Sequence, residues 1–193
     1  MKNFDNCDVV VLGGPGSGKS TQAKFLVDLI SANHLNMGSL LRSAIHDKVP
    51  GYEELQQHHD AGTLVPDEVT RALVERFVAG TPEHQRIVFD GYPRSMEQVR
   101  SVERAESSHH RQVMAVYLKL SPEVAAERLL KRAGLENRPD DTPEVIRDRI
   151  DLFERNIIDI LEHYRSSGHL VEVNGDQSIE EVKSDIASIF NQS

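Results

Sequence analysis

The chain has 193 residues, of which 38% are apolar and 27% are charged, and its net charge is −9 at neutral pH. This composition is typical of a globular protein, and we expect one domain over 1–193. The acidic balance argues against broad binding to nucleic acid or membrane surfaces, which needs a basic field. No apolar run reaches the ~20 residues of a membrane helix, no signal-peptide pattern is present, and the single cysteine cannot form an internal disulfide. A cytoplasmic location is therefore expected.

Short apolar runs alternate with helical patterns along the chain, which predicts an α/β fold with a parallel sheet. Strands are predicted at 7–12, 34–37, 86–89, 113–120 and 169–173. Helices are predicted at 19–30, 122–132 and 143–164, as several short helices within 39–80, and from Ser178, whose Glu181 completes a capping-box pattern. The expected architecture has three layers, with about five strands between helices. Segments 39–80 and 132–142, the latter a predicted loop, interrupt the alternation and are interpreted as excursions from the core.

The sequence GGPGSGKS at 13–20 fits the pattern G-x-x-x-x-G-K-[ST] and lies between a predicted strand and a predicted helix. Glycines allow consecutive backbone N–H groups to converge on phosphate, and the helix N-terminus adds a favourable dipole. Lys19 is expected to reach the β- and γ-phosphates, while a hydroxyl of Ser20 or Thr21 faces Mg²⁺. The motif predicts a P-loop NTPase-type fold. The predicted ATP-binding residues here are Gly14, Pro15, Gly16, Ser17, Gly18, Lys19, Ser20 and Thr21.

Several segments resemble those of adenylate kinases and related nucleoside monophosphate kinases, and they occur in the same order and at similar spacing along the chain. They are GGPGSGKSTQA at 13–23, HLNMGSLLR at 34–42, GTLVP at 62–66, DGYPRSMEQ at 90–98 and RLLKRAGLENRPDD at 128–141. The resemblance implies reversible phosphoryl transfer from ATP to AMP, giving two ADP, in a monomer that uses Mg²⁺ with ATP and no zinc. It also implies an acceptor-binding excursion over 36–66 and a short lid over 132–142, both of which close over the substrates.

The resemblance assigns roles to individual residues. The implied AMP site comprises Met37, Gly38, Arg42, Val65, Gly91, Arg94, Gln98, Arg138 and Arg149. The implied catalytic residues are Lys19, Arg94, Arg132, Arg138 and Arg149, and Arg128 and Arg132 join the ATP site. Asp90 ends a predicted strand, where a carboxylate can hold Mg²⁺ directly or through water, although a simple turn aspartate is the alternative. For Gln98 the alternative is an exposed helix residue.

Two arginine patterns support a ligand role without reference to the family. Arg128 and Arg132 are four residues apart on one helix, and an anion between them would relieve their repulsion. Arg149 has apolar neighbours at three and four residues, namely Val145, Ile146, Leu152 and Phe153. An arginine in an apolar stripe is expected to pair with an internal carboxylate, to extend its charge to solvent, or to face a ligand cleft. Asp140 and Asp141 could orient the arginines or cap the next helix.

The acceptor is a phosphate oxygen, which is already largely ionised at neutral pH because its second pKa is about 6. No general base is then required, and no role is assigned to the histidines. Departures from the family pattern are Ser20, Met37, Ser39 and Asn137. UMP/CMP kinases of this family often have asparagine at position 95, where this chain has serine, so AMP is favoured, but Met37 fits neither pattern. A UMP/CMP kinase remains the alternative, followed by a non-catalytic nucleotide-binding regulator or a switch GTPase, whose N-K-x-D motif is absent.

Overall fold

The computed structural model describes residues 7–61, 65–107, 110–136 and 142–191, with the backbone alone at 59–61 and 132–136. Predictions for Gly62, Asn137, Arg138, Asp140 and Asp141 therefore lie outside the described residues. The described strands are β1 (Cys7–Gly13), β2 (Asn33–Asn36), β3 (Ile87–Asp90), β4 (Gln112–Lys119) and β5 (Leu170–Asn174). The described helices are α1 (Lys19–Ile30), α2 (Met37–His46), α3 (Tyr52–Ala61), α4 (Asp67–Ala79), α5 (Met96–Ser107), α6 (Pro122–Glu136), α7 (Pro143–Ser166) and α8 (Ile179–Phe190).

The strands form one parallel sheet in the order β2-β3-β1-β4-β5. β1 is central and every one of its residues is buried, which explains why VVVL at 9–12 is a continuous apolar run rather than an alternating one. In register, Val11 lies beside Asp90 and Asn36 lies beside Asp90 on the other side. The carboxyl ends of β1, β2 and β3 therefore meet at one edge of the sheet, and the predicted α/β fold class is confirmed.

Alternate residues of β1 point to opposite faces of the sheet, so both faces carry apolar side chains, and helices cover both of them. Val9 and Val11 pack in one apolar cluster, which α1 and α8 complete. Val10 and Leu12 pack in the other cluster, to which α4, α5 and α7 contribute. A smaller cluster joins α6 to α7. In the described part of the chain, no helix combines the length and the apolar character needed to cross a bilayer.

Two predicted boundaries are wrong. The strand predicted to reach Met37 ends at Asn36, because the Asn36 side chain accepts a hydrogen bond from the Ser39 N–H and so caps α2. The loop predicted from 132 begins later, since α6 continues to Glu136 through residues that favour helix, such as Ala133 and Leu135. The helix α5 was not predicted as a separate element. Residues 137–141 of the predicted lid lie outside the described residues.

Candidate active site

The phosphate loop has the backbone geometry of an anion-binding turn. Gly16 and Gly18 both have φ of 79°, in the left-handed region that favours glycine, and a Cβ at Gly16 would lie 2.9 Å from the Ala125 carbonyl oxygen. Within this loop, which the structure describes in full, no side chain caps the first turn of α1. The N–H groups of that turn are therefore placed to bind an anion such as phosphate. The Lys19 Nζ donates to the Gly14 carbonyl oxygen at 3.4 Å, so the ammonium lies over the loop.

Asp90, at the carboxyl end of β3, lies directly against the phosphate loop. Its Oδ1 accepts a hydrogen bond from the Ser20 Oγ at 3.1 Å, and its Oδ2 accepts one from the Asn36 Nδ2 at 2.6 Å. The His34 Nε2 lies 3.7 Å from the same Oδ2. Only 1% of Asp90 is exposed. The carboxylate is therefore buried and linked to the loop.

The surroundings of Asp90 favour its charged form. Burial raises the pKa of this carboxyl, but the nearby His34 ring, hydrogen bonds from Ser20 and Asn36 and the charge of Lys19 bring the pKa below its ordinary value. The sequence analysis missed His34 and Asn36. The available signal was a pair of polar residues two positions apart at the end of a predicted strand, which places both on one face.

The donor set beside the loop suits a hard divalent cation. An ionised carboxylate at Asp90 and the hydroxyl of Ser20 are oxygen ligands, and Mg²⁺ typically takes one or two such protein ligands together with phosphate oxygens and water. Among the described residues, no group of three or more His, Cys, Asp or Glu side chains is placed to bind a metal ion. The residues present therefore fit a magnesium ion that arrives with a nucleotide.

The structure brings several predicted acceptor residues together beside Asp90. A Cβ at Gly91 would lie 3.4 Å from the Arg94 Nη2 and 3.7 Å from the Met37 Cβ, and one at Gly38 would lie 3.4 Å from the Arg42 Nη1. The Arg94 Nε donates to the Gly91 carbonyl oxygen at 2.9 Å. The Met37 side chain is only 4% exposed and packs in the core, so it does not line an open surface. Val65 lies half-buried just before α4.

Arg94 combines access to solvent with a dense protein environment, as a side chain in a cleft does. The residue is partly exposed to solvent. Loss of solvation nevertheless lowers the pKa of its guanidinium, and the charge of the nearby Asp90 carboxylate opposes this effect. A guanidinium in such a position is partly freed from water before a ligand arrives. It is thereby suited to bind a phosphate with two parallel hydrogen bonds.

Gln98 is buried rather than exposed, so the alternative considered for it is wrong. Only 6% of the residue is accessible, and its Oε1 accepts a hydrogen bond from the Arg94 N–H at 2.7 Å. Its Nε2 donates to the Asp67 Oδ1 at 2.7 Å, and the Ser95 Oγ donates to the Asp67 Oδ2 at 2.9 Å. The Gln98 N–H in turn donates to the Ser95 Oγ at 3.2 Å. Sequence reasoning missed Asp67, which lies 31 residues from Gln98.

Of the other predicted arginines, Arg128 and Arg149 are described with their side chains. Arg128 donates to the carbonyl oxygens of Gly175 and Gln177, at 2.9 and 3.2 Å, and so holds the loop that follows β5. Arg149 is exposed, as is Leu152 at 43%, whereas Ile146, another of its apolar neighbours, is buried. The buried face of α7 runs along Ile146, Ile150, Ile157, Ile160 and Tyr164, so Arg149 lies beside this face and not within it. The Arg132 side chain and the whole of Arg138 lie outside the described residues.

A phosphate loop, a strand-end aspartate bonded to it and a cleft arginine beside that aspartate are the working parts of P-loop phosphotransferases. Comparison with known proteins supports the same class. The family model "Adenylate kinase" matches residues 11–169. The chain belongs to the adenylate kinase family.

Its relatives include enzymes that are named for different acceptor nucleotides. An adenylate kinase of a Cyanothece species is 34% identical over 95% of this chain and 95% of its own length. An adenylate kinase of Nocardia farcinica is 37% identical over 90% of this chain and 93% of its own length. A UMP-CMP kinase of Lentinula edodes is 34% identical over 90% of this chain and 81% of its own length. Overall sequence identity therefore establishes the family but does not distinguish adenylate kinases from UMP-CMP kinases.

Proposed function

We propose that this protein transfers the γ-phosphoryl group of ATP to AMP, reversibly, giving two ADP. The observation that carries the proposal is the position of Asp90. This carboxylate accepts a hydrogen bond from Ser20 of the phosphate loop and also interacts electrostatically with Arg94 on the acceptor side. One buried charge thus joins the donor half and the acceptor half of a single cleft.

The donor half binds ATP through the phosphate loop. Backbone N–H groups from Gly16 to Thr21 surround the phosphates, and Lys19 neutralises charge on the β- and γ-phosphates. A Mg²⁺ ion bound with ATP would supply positive charge that lowers the repulsion met by an incoming anion. Ser20 and Asp90 are the residues that would hold it. Arg128 orders the loop after β5, and Arg132 is proposed to join the ATP site.

The acceptor half holds AMP in line with the γ-phosphate. Arg42 and Arg94 bind the acceptor phosphate, and Gln98 contacts the base. Gly38, Val65 and Gly91 are proposed to line the site, with the buried Met37 packed behind Gly91, and Arg138 and Arg149 are proposed to complete the charge around the transferring group. An AMP phosphate oxygen attacks the γ-phosphorus, and the bond from that phosphorus to the β,γ-bridging oxygen breaks.

The reaction requires no proton transfer from the protein. The attacking oxygen is already ionised near pH 7, because the second pKa of a phosphate monoester is about 6. Catalysis therefore depends on positioning and on preorganised positive charge from Lys19, Arg94 and the other arginines. We propose that the excursion over 36–66 and the lid over 132–142 close on the substrates and exclude water, which would otherwise hydrolyse ATP.

A UMP/CMP kinase is the second candidate, because a UMP-CMP kinase is as similar to this chain as some adenylate kinases are. Two observations favour AMP. Position 95, where UMP/CMP kinases of the family often have asparagine, holds a serine that donates to Asp67. Gln98 presents a buried amide that can pair in two places with the amino edge of adenine, a contact that disfavours UMP although not CMP. We also propose a monomer in the cytoplasm, which size-exclusion chromatography and localisation would test.

The first experiment measures ADP formation from ATP, Mg²⁺ and each of AMP, CMP, UMP and GMP in separate reactions. Preference for AMP, with kcat/KM at least ~10-fold above the other acceptors as one well-placed base contact provides, supports the proposal. Preference for UMP or CMP supports the second candidate. Transfer to none of the four, with ATP still bound in an equilibrium titration, contradicts the kinase proposal and favours a nucleotide-binding regulator.

A further inference from the structure

Asp67 lies at the start of α4, outside the set of residues to which the proposed reaction gives a role. Its carboxylate accepts hydrogen bonds from the Gln98 Nε2 and the Ser95 Oγ, at 2.7 and 2.9 Å. The carboxylate therefore contacts both residues that the sequence connects with choice of the acceptor base. It also links α4, which follows the acceptor-binding excursion, to the loop and helix that carry Arg94 and Gln98.

The contacts of Gln98 fix the orientation of its amide. The Oε1 accepts the Arg94 N–H while the Nε2 donates to Asp67. Rotating the amide by half a turn would place its oxygen against the carboxylate and its NH₂ group against a backbone N–H. Both contacts would then be repulsive, and because Gln98 is only 6% exposed, water could not readily compensate.

A fixed amide distinguishes two classes of base. Adenine and cytosine present an amino donor beside a ring-nitrogen acceptor, whereas uracil and guanine present a carbonyl acceptor beside a ring N–H donor. An amide in one orientation complements the first pattern, and only a rotated amide complements the second. A glutamine free to rotate would accommodate both classes.

On the basis of the proposed function, we infer that Asp67 is a positioning residue that locks the Gln98 amide and thereby selects acceptors whose base presents an amino donor beside a ring-nitrogen acceptor, as adenine does. The residue acts through Gln98 and does not touch the transferring phosphate. Its loss therefore changes acceptor recognition and leaves the chemical step and ATP binding largely intact. Asp67→Ala removes the acceptor of both hydrogen bonds, and Asp67→Asn keeps one carbonyl oxygen for the Gln98 Nε2.

The test measures kcat/KM for AMP and for UMP and GMP in the wild type and both variants. For Asp67→Ala we expect the preference for AMP to fall at least ~10-fold, the loss that follows when one good base contact is weakened. The change should lie mainly in KM for AMP, with kcat and KM for ATP within about twofold. Asp67→Asn should retain more of the preference. The control is Glu68→Ala, which removes the same charge from the same turn at an exposed position.

A double-mutant cycle separates positioning from a general structural effect. In a Gln98→Ala background, Asp67→Ala should cause no further loss of preference, because there is no amide left to orient. An equal loss in both backgrounds, or an unchanged preference in Asp67→Ala, overturns the inference while leaving the kinase proposal intact. If the wild type phosphorylates no monophosphate, the proposed function fails instead. The side-chain amide NMR signals of Gln98 then still test the contact, since unchanged signals in Asp67→Ala would exclude it.

Discussion

At the residue scale, the central contact of the site is between Asp90 and the phosphate loop. The carboxylate is buried, its pKa is held below the ordinary value, and it accepts hydrogen bonds from Ser20 and Asn36. Asparagine has almost the same shape, and its amide can still accept from Asn36 and donate to the Ser20 Oγ. The change Asp90→Asn therefore removes the charge while preserving much of the local geometry.

We expect Asp90→Asn to lower kcat by about 10²-fold or more, the usual cost of removing one preorganised electrostatic group. We also expect the variant to need a higher Mg²⁺ concentration for half its maximal rate. Steady-state kinetics over a Mg²⁺ series measures both effects, and Asp28→Asn, at an exposed position on α1, serves as the matched control. A Mg²⁺ dependence identical to that of the wild type would show that Asp90 does not hold the metal.

At the scale of elements, the capping box of α8 stabilises the loop that Arg128 holds. The Ser178 Oγ accepts from the Glu181 N–H at 3.3 Å, and the Glu181 Oε2 accepts from the Ser178 N–H at 2.9 Å. Arg128 binds the carbonyl oxygens of Gly175 and Gln177 just before this cap. Cap and arginine therefore order the same turn from its two ends.

Replacing Ser178 by alanine removes the side-chain acceptor of the cap. We expect Ser178→Ala to lower the free energy of unfolding by about 1 kcal/mol, the typical value for a lost N-cap. Ser184→Ala, at an exposed position within α8, should be neutral or slightly stabilising, because alanine has the higher helix propensity. Urea denaturation of the wild type and both variants measures the free energies of unfolding. If Ser178→Ala were as stable as the wild type, the cap would contribute nothing.

The sequence predicted those elements and site residues whose signals are local. The β1 run, the phosphate loop and the capping box of α8 each depend on neighbouring residues, and each is confirmed. Contacts across the fold were not predicted, among them His34 and Asn36 on Asp90 and Asp67 on Gln98. They depend on strand register and on how α4 packs against α5, which no local pattern encodes. Spacing alone likewise did not show which apolar residues around Arg149 are buried, since Ile146 is buried while Leu152 is exposed.

At the scale of the whole molecule, a buried charge cluster lies at the end of the sheet opposite the proposed active site. The Arg111 Nε donates to the Asp8 Oδ2 at 2.8 Å, and its Nη2 donates to the Glu106 Oε2 at 3.1 Å. The Nη1 donates to the carbonyl oxygens of Glu83 and Gln85, both at 2.7 Å. Asp8 and Arg111 are 103 residues apart in sequence. The cluster thus joins the start of β1 to the segments that lead into β3 and β4.

One arginine faces two carboxyl groups in this cluster, so a proton is needed to balance the charge. Burial, a hydrogen bond with Asp8 and the Asp8 charge raise the pKa of Glu106 to about 9, although Arg111 acts in the opposite direction. The Glu106 Oε1 has no hydrogen-bond partner among the described residues, so no donor at this oxygen stabilises the ionised form. Glu106 is therefore held neutral near pH 7.

This proton makes folding stability depend on pH. The unfolded chain loses it near the ordinary pKa of 4.5, while the folded protein keeps it up to about 9. The stabilisation is thus complete below the lower value, and it falls as pH rises, by up to ~1.4 kcal/mol per pH unit for one proton. Glutamine mimics the protonated acid, because its oxygen can accept from Arg111 and its NH₂ group can donate to Asp8, without carrying a titrating proton.

We therefore expect Glu106→Gln to flatten the decline of stability with pH. Urea denaturation at intervals from pH 5.5 to pH 8.5 measures the free energy of unfolding of the wild type, of Glu106→Gln and of Glu123→Gln, an exposed control. The wild type and the control should lose stability more steeply than Glu106→Gln, so the advantage of that variant should grow toward pH 8.5. Parallel profiles for all three proteins would show that Glu106 is ionised in the folded state, with the charge of Arg111 outweighing both burial and the proximity of Asp8.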